Sequence, residues 1–322
     1  MDLGLFGPDT VTWRLHAEPI LWFAGYRALL LQSLHPRALA GVLQNSNFRE
    51  DPWGRLMRTA RFYGEVIYGD SATAAKAGAR VRRIHARLGG TDPDTGAAFR
   101  VEEPDLLRWI YVTATESFCS TAQRAGLGLN PTDVDRYYDE QRAVAELVGL
   151  NRQDVPSDAA GVEAYYRSMR PMLRASADAH SVARFLAVPT MPWGLGWSPA
   201  RPLWLGVSLY AFSLMPTWAR RLYGWPGLPT TDLTASLTSR TIRSMIRALP
   251  TSALEGPLYK AAMSRARALS TTRNAGASAM INKTSTAGTT KAKRRRPASK
   301  RPVSSPLPAS TPMITDPTMT PA

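Results

Sequence analysis

Arg55, Arg58 and Thr59 fall within five residues, and His85 follows 26 residues after Thr59. Steps of three and four residues bring the first three onto one face of a helix. Two cationic forks and a hydroxyl aimed the same way could receive an anion, a haem propionate or a reduced oxygen species. The same spacing also describes an ordinary basic helix surface with Thr59 as filler. His85 borders an apolar helical stripe formed by Ala77, Val81, Ile84 and Leu88. A neutral imidazole facing a dry pocket can ligate iron or zinc. A half-buried histidine bonded to a backbone carbonyl is the structural alternative.

Ligand-forming residues are scarce, so each can be weighed singly. The chain holds 4 histidines and 1 cysteine in 322 residues. Cys119 alone permits neither an intrachain disulfide nor a cysteine zinc site, which suits a reducing, cytoplasmic setting. No second His or Cys stands at zinc-ligand spacing from His85. A haem, by contrast, needs one protein ligand on its proximal side. His85 therefore suits haem better than a bare metal ion. His35, before Pro36, reads as structural, and His16 and His180 carry no spacing signal. Gly126-Leu127-Gly128 lacks the rest of a dinucleotide fingerprint, and there is no nucleophile elbow.

These residues need a scaffold, and the pattern predicts an all-α one. Alternating β-branched and aromatic runs are nearly absent, while Ala, Leu, Arg and Glu recur at helical spacing. Helices are expected over Glu18–Leu34, with Trp22, Tyr26, Leu29 and Leu30 on the buried side, and from Pro36 to Gln44. Asp51-Pro52 opens the helix carrying Arg55 and Thr59. Ser71 caps a helix over Ala72–Leu88 that Gly89-Gly90 ends. Further helices are expected over Glu103–Arg124, over Asn130–Val148, from Ser157 to a break at Pro171, over Pro202–Met215, over Thr231–Ala248 and over Leu254–Leu269. Pro189–Pro202 reads as an ordered loop.

The net charge of +15 is uneven. Residues 271–322 hold nine cations against Asp316, so +8 belongs to that segment and +7 to the rest. Large apolar residues nearly vanish there, so the organisation reads as one large helical domain over 1–270 and a disordered basic tail over 271–322. Lys293-Arg294-Arg295-Arg296 could meet nucleic acid or an anionic membrane. No aromatic interleaves those cations, so no specific nucleic-acid partner is expected. The N-terminus does not read as a secretory signal. The apolar run Leu203–Met215, bracketed by Pro202 and Pro216, is 13 residues long and too short to span a bilayer. It is expected to be a buried core helix, with an interfacial segment making peripheral membrane contact as the alternative. The oligomeric state is not legible.

Taken in order, the motifs resemble the MpaB/rubber-oxygenase domain family. The resemblance rests on Leu34-His35-Pro36, on Phe48-x-x-Asp51-Pro52-x-x-Arg55-x-x-Arg58-Thr59 and on Ile84-His85-x-x-Leu88-Gly89. It continues through Pro104-x-Leu106-x-x-Trp109 and Asp135-x-Tyr137-Tyr138 and spans roughly residues 15–250. It implies an all-α oxygenase with haem b, His85 as the proximal iron ligand, and Arg55 and Thr59 on the distal helix. The implied substrates are dioxygen and an apolar, alkene-bearing molecule such as a terpenoid or lipid. Arg58 stands where relatives carry a lysine able to ligate iron, a role arginine's protonated guanidinium cannot fill. Tyr111 stands where many relatives carry a histidine. A haem-binding or apolar-ligand-binding protein without turnover needs the same pocket and is the alternative reading.

Overall fold

The computed structural model describes residues 2–188, 200–250 and 256–272. Met1–Thr271 forms one unit. The expected tail falls outside the described residues from 273 onward. Residues 271 and 272 continue a helix instead of beginning the tail.

The helices are α1 (Val11–His16), α2 (Leu21–Gln32), α3 (Pro36–Asn45), α4 (Pro52–Tyr68), α5 (Ser71–His85), α6 (Pro104–Arg124), α7 (Pro131–Val148), α8 (Ala159–Met169), α9 (Ala177–Ala187), α10 (Ala200–Ser213), α11 (Thr217–Leu222) and α12 (Thr231–Arg247). A further helix, α13, spans 257–272. One antiparallel hairpin, β1 (Gly89–Thr91) with β2 (Ala98–Arg100), interrupts them, Gly90 opposite Phe99.

Local chemistry sets most of the boundaries. Asp51 accepts a hydrogen bond from the Gly54 amide, and Pro52 fills the first turn of α4, where its missing N–H costs nothing. Asn130 and Asp133 form a reciprocal capping box at the start of α7. At the other end of α7, Gly149 adopts φ +102°, a left-handed cap that a side chain would strain. His35 caps α3, its Nδ1 accepting the Ala38 amide at 3.3 Å.

α6 is the central strut, packed along α2 and touched by α1, α3, α7 and α12. Trp109 of α6 is fully buried, and its indole N–H donates to the Gln32 carbonyl at 3.2 Å. The same α2–α6 seam holds an ion pair whose cation is fully buried and whose carboxylate is half-buried. Arg27, also fully buried, forks onto both Glu116 oxygens at 2.5 and 2.9 Å. It also donates to the Ser117 hydroxyl at 2.6 Å and to the Leu214 carbonyl at 2.9 Å. A second buried guanidinium, Arg220, donates to the carbonyls of Ser213 and Met215 at 2.9 and 2.6 Å. The carbonyls left open at the C-terminus of α10 thus meet two arginines from other helices. That clamp fixes the direction in which α10 presents its faces.

Several sequence expectations require correction. α2 fills the stretch expected over Glu18–Leu34, starting at Leu21 and ending at Gln32, and the short α1 before it was not anticipated. Trp22 lies on the exposed side of α2, not the buried side. Asp70, not Ser71, caps α5, accepting the Thr73 amide at 2.8 Å. α5 ends at His85, and Gly89-Gly90 belongs to the hairpin. A Cβ at Gly90 would sit 2.6 Å from the Phe99 ring, so this glycine serves close strand packing, not helix termination. α9 and α11 were not anticipated. The expected loop over Pro189–Pro202 lies outside the described residues up to 199, and α10 starts at Ala200.

Candidate active site

The four predicted residues lie on the two arms of a helical hairpin. Gly69 and Asp70 turn the chain between α4 and α5, and the two helices pack against each other. The Glu65 carboxylate ties them, accepting from Arg61 at 2.7 Å on its own helix and from Arg80 of α5 at 2.6 Å. At about 1.5 Å rise per residue, His85 lies about 7.5 Å beyond Arg80, and Thr59 about 9 Å beyond Glu65 in the same direction along the hairpin. The open end of the hairpin therefore carries His85 on one arm and Arg55, Arg58 and Thr59 on the other.

His85 is half-buried in the last turn of α5. Its Nδ1 is shielded from solvent and has no hydrogen-bond partner. Burial lowers the imidazole pKa, and the nearby Glu102 charge opposes this only in part. A neutral ring with an unspent nitrogen is what an iron ligand requires. The carbonyl bond of the structural alternative is not made at Nδ1. The expected stripe beside it is only partly inward. Ala77 is buried, but Ile84 is half-exposed. Ile84 and Leu88 floor a shallow groove of about 360 Å³ on the outer side of α5, rimmed by Arg80, Arg83 and Arg87.

The three residues of α4 do not point alike. Arg55 is half-buried and donates to the Ser46 hydroxyl. Burial, then the neighbouring Arg58 charge, pull its pKa down from the usual arginine range. Arg58 is exposed and pairs with Asp51 at 3.0 Å. Thr59 is exposed and returns its hydroxyl to the Arg55 carbonyl at 3.1 Å. Of the cationic face read from the sequence, only Arg55 turns inward.

Aromatic rings gather at the start of α4. Trp53, two residues earlier on α4, meets Trp204 of α10 edge-on at 5.0 Å. Trp204 packs against Tyr26 at 6.3 Å and donates to the Leu186 carbonyl at 2.9 Å. Phe48 meets Phe185 of α9 edge-on at 5.4 Å, and Arg49 lies over both rings.

One feature was missed entirely. Tyr63 continues the α4 face of Arg55 and Thr59 at four-residue steps and stacks on His16, 6.1 Å between centroids. Phe118 meets the same imidazole edge-on at 5.0 Å, and His16 Nε2 lies 3.2 Å from the Tyr137 hydroxyl. The Tyr137 of the resemblance motif thus acts here as a hydrogen-bond partner. Tyr111, at the departure noted above, has a buried hydroxyl without a partner. His16 lacked any spacing signal because its partners come from α4, α6 and α7.

Burial brings the His16 pKa from 6.5 to about 3. The unfolded chain then binds a proton that the folded chain refuses between these values. Stability from this group is full above about pH 6.5 and declines as pH falls towards 3. His16→Phe should remove that contribution from the slope. Urea titrations at several pH values in this range check it, and an unchanged slope would exclude the assignment.

With the geometry in place, comparison with known proteins decides the family. The family model described as "ER-bound oxygenase mpaB/B'/Rubber oxygenase, catalytic domain" matches residues 13–248. The chain belongs to this family. It therefore carries an oxygenase-type catalytic domain on an all-α scaffold. The match begins within α1 and ends just past α12, so it includes both the α4–α5 hairpin and the His16 cluster. No curated protein and no solved structure matches the chain.

Proposed function

We propose that this protein is a haem b-dependent oxygenase that uses dioxygen to oxidise an apolar, alkene-bearing substrate of terpenoid or lipid character. The observation that supports it most is the shielded, unpartnered nitrogen of a neutral His85, at the same end of the hairpin as a half-buried Arg55. His85 would hold the iron, and Arg55 would hold a propionate or favour negative charge arising on oxygen. When bound, the haem supplies the oxygen chemistry.

The remaining work belongs to the chain itself. Burial keeps His85 unprotonated, so no proton must leave before it can ligate. The Trp53–Trp204 and Phe48–Phe185 pairs place apolar rings at the start of α4 and would limit water there. Arg58 and Thr59 are held locally in this arrangement, and their assigned roles in catalysis rest on the family resemblance.

The test is the full chain expressed with ample haem and purified. The expected result is a Soret band and dioxygen consumption that depends on added unsaturated terpenoid or lipid. A Soret band without substrate-dependent consumption would favour the carrier or sensor alternative. No band at all would remove the haem assignment.

A further inference from the structure

α10 contains no charged side chain from Pro202 to its end, and the sequence stays uncharged up to Ala219. A helix of this composition is expected to be buried on all sides. Instead it turns Leu203 (73% exposed), Leu205 and Leu209 to solvent. Leu205 and Leu209 are four apart and share a face. Beside it α12, joined to α10 by a Tyr210–Ser239 hydrogen bond of 2.7 Å, exposes Leu233 (62%) and Leu237, again four apart. Trp225, 67% exposed, leans its ring edge on Phe212 of α10. Isolated exposed leucines are ordinary, but two neighbouring helices doing this together with a tryptophan are not.

We infer that the outer face of α10 and α12 docks on an anionic lipid bilayer, inserting its leucines to interfacial depth without crossing. No described helix is long and apolar enough to cross a membrane. Charge selects the lipid surface over a second copy of this chain. Arg240 and Arg247 lie exposed along α12, three and ten residues after Leu237, and no acidic side chain follows Asp232 on that helix. Lipid phosphates and carboxylates would meet both guanidiniums, whereas a twofold pairing would crowd the arginines of two copies into one interface. The two buried arginines at the C-terminus of α10 hold the helix rigidly in this presentation. Trp204, on the same helix, touches Trp53 near Arg55. An apolar substrate dissolved in the bilayer would thereby meet the Arg55 end without crossing water. That last consequence rests on the oxygenase reading, whereas the docking does not.

The test uses the whole 322-residue chain, so the cationic segment over 271–322 is present in every sample. Sedimentation with phosphatidylserine-containing and pure phosphatidylcholine vesicles is compared for wild type and Leu205→Glu/Leu209→Glu. Wild type should pellet with the anionic vesicles, and the double substitution should weaken this by at least about tenfold. Arg240→Gln/Arg247→Gln should weaken anionic binding several-fold and leave neutral vesicles unaffected. Leu233→Glu/Leu237→Glu repeats the test on α12 should the first variant fail to fold, as read by circular dichroism. Wild-type binding retained in the leucine variants would overturn the proposal, since the basic segment alone would then suffice. A wild-type dimer that the leucine substitutions dissociate would overturn it too, making the face a self-interface. Vesicle binding is read without haem or turnover, so a failure here is distinct from failure of the oxygenase assignment.

Discussion

Replacing His85 by alanine should abolish haem retention and, with it, all oxygen consumption, while leaving the fold intact. The side chain is half-buried at a helix end and makes no hydrogen bond through its shielded Nδ1, so little native structure depends on it. Truncation at such a site should cost no more than about 1–2 kcal/mol of stability. The cofactor would lose its proximal bond altogether. Arg58 offers no lone pair. Absorption spectra and pyridine haemochrome assays of equal protein amounts read the first effect, and thermal denaturation reads the second. Equal haem in wild type and variant would place the ligand elsewhere, with His16 the next residue to replace.

The second large effect concerns stability alone. Arg27→Met should destabilise the fold by about 3–5 kcal/mol. The substitution leaves the Glu116 carboxylate without its bidentate partner in a site it shares with the Tyr166 hydroxyl at 2.9 Å. It also frees the Leu214 carbonyl at the end of α10. Urea denaturation should show a lower midpoint at unchanged slope. Arg27→Met/Glu116→Leu should be more stable than Arg27→Met alone, because the penalty comes from the orphaned charge more than from the lost attraction. A single variant within about 0.5 kcal/mol of wild type would mean that water or a rearranged neighbour satisfies Glu116.

What the sequence made legible was decided locally. Asp51-Pro52 and Asn130-Pro131 announce helix starts through a capping oxygen and a proline in the first turn, Glu103-Pro104 through the proline alone, and α4, α7 and α6 begin there. The ordered motifs pointed to the family, and the family match covers nearly the stretch they span. What escaped depends on tertiary packing. Gly90 looked like a helix stop because nothing local shows that Phe99 will lie against it. Trp22 was assigned to the core by its size, and Ile84 by its spacing, yet both face outward. α11 is six residues between Pro216 and Gly224, too short to carry a periodic signal. The Arg27–Glu116 pair was open to notice, since Arg27 is the lone charge in α2.

The α4 face shows the same limit more sharply. Spacing grouped Arg55, Arg58 and Thr59 correctly on one side of a helix, but it could not tell that Asp51 would draw Arg58 outward. Nor could it show that Ser46 would draw Arg55 in. The leucines of α10 invert the usual inference. A run read as core turns part of its surface to solvent, because α2 and α9 pack on the helix and Leu205 and Leu209 stay exposed.

Chemical rescue tests the central claim most directly. His85→Gly, expressed with haem, should give colourless protein, and added imidazole should restore haem binding and a Soret band by filling the vacated space with a free ligand. Rescue by imidazole, and not by a non-ligating ring of the same size such as cyclopentane, would show that the ring nitrogen at this position holds the iron. A His85→Gly protein that keeps its haem without imidazole would contradict the account.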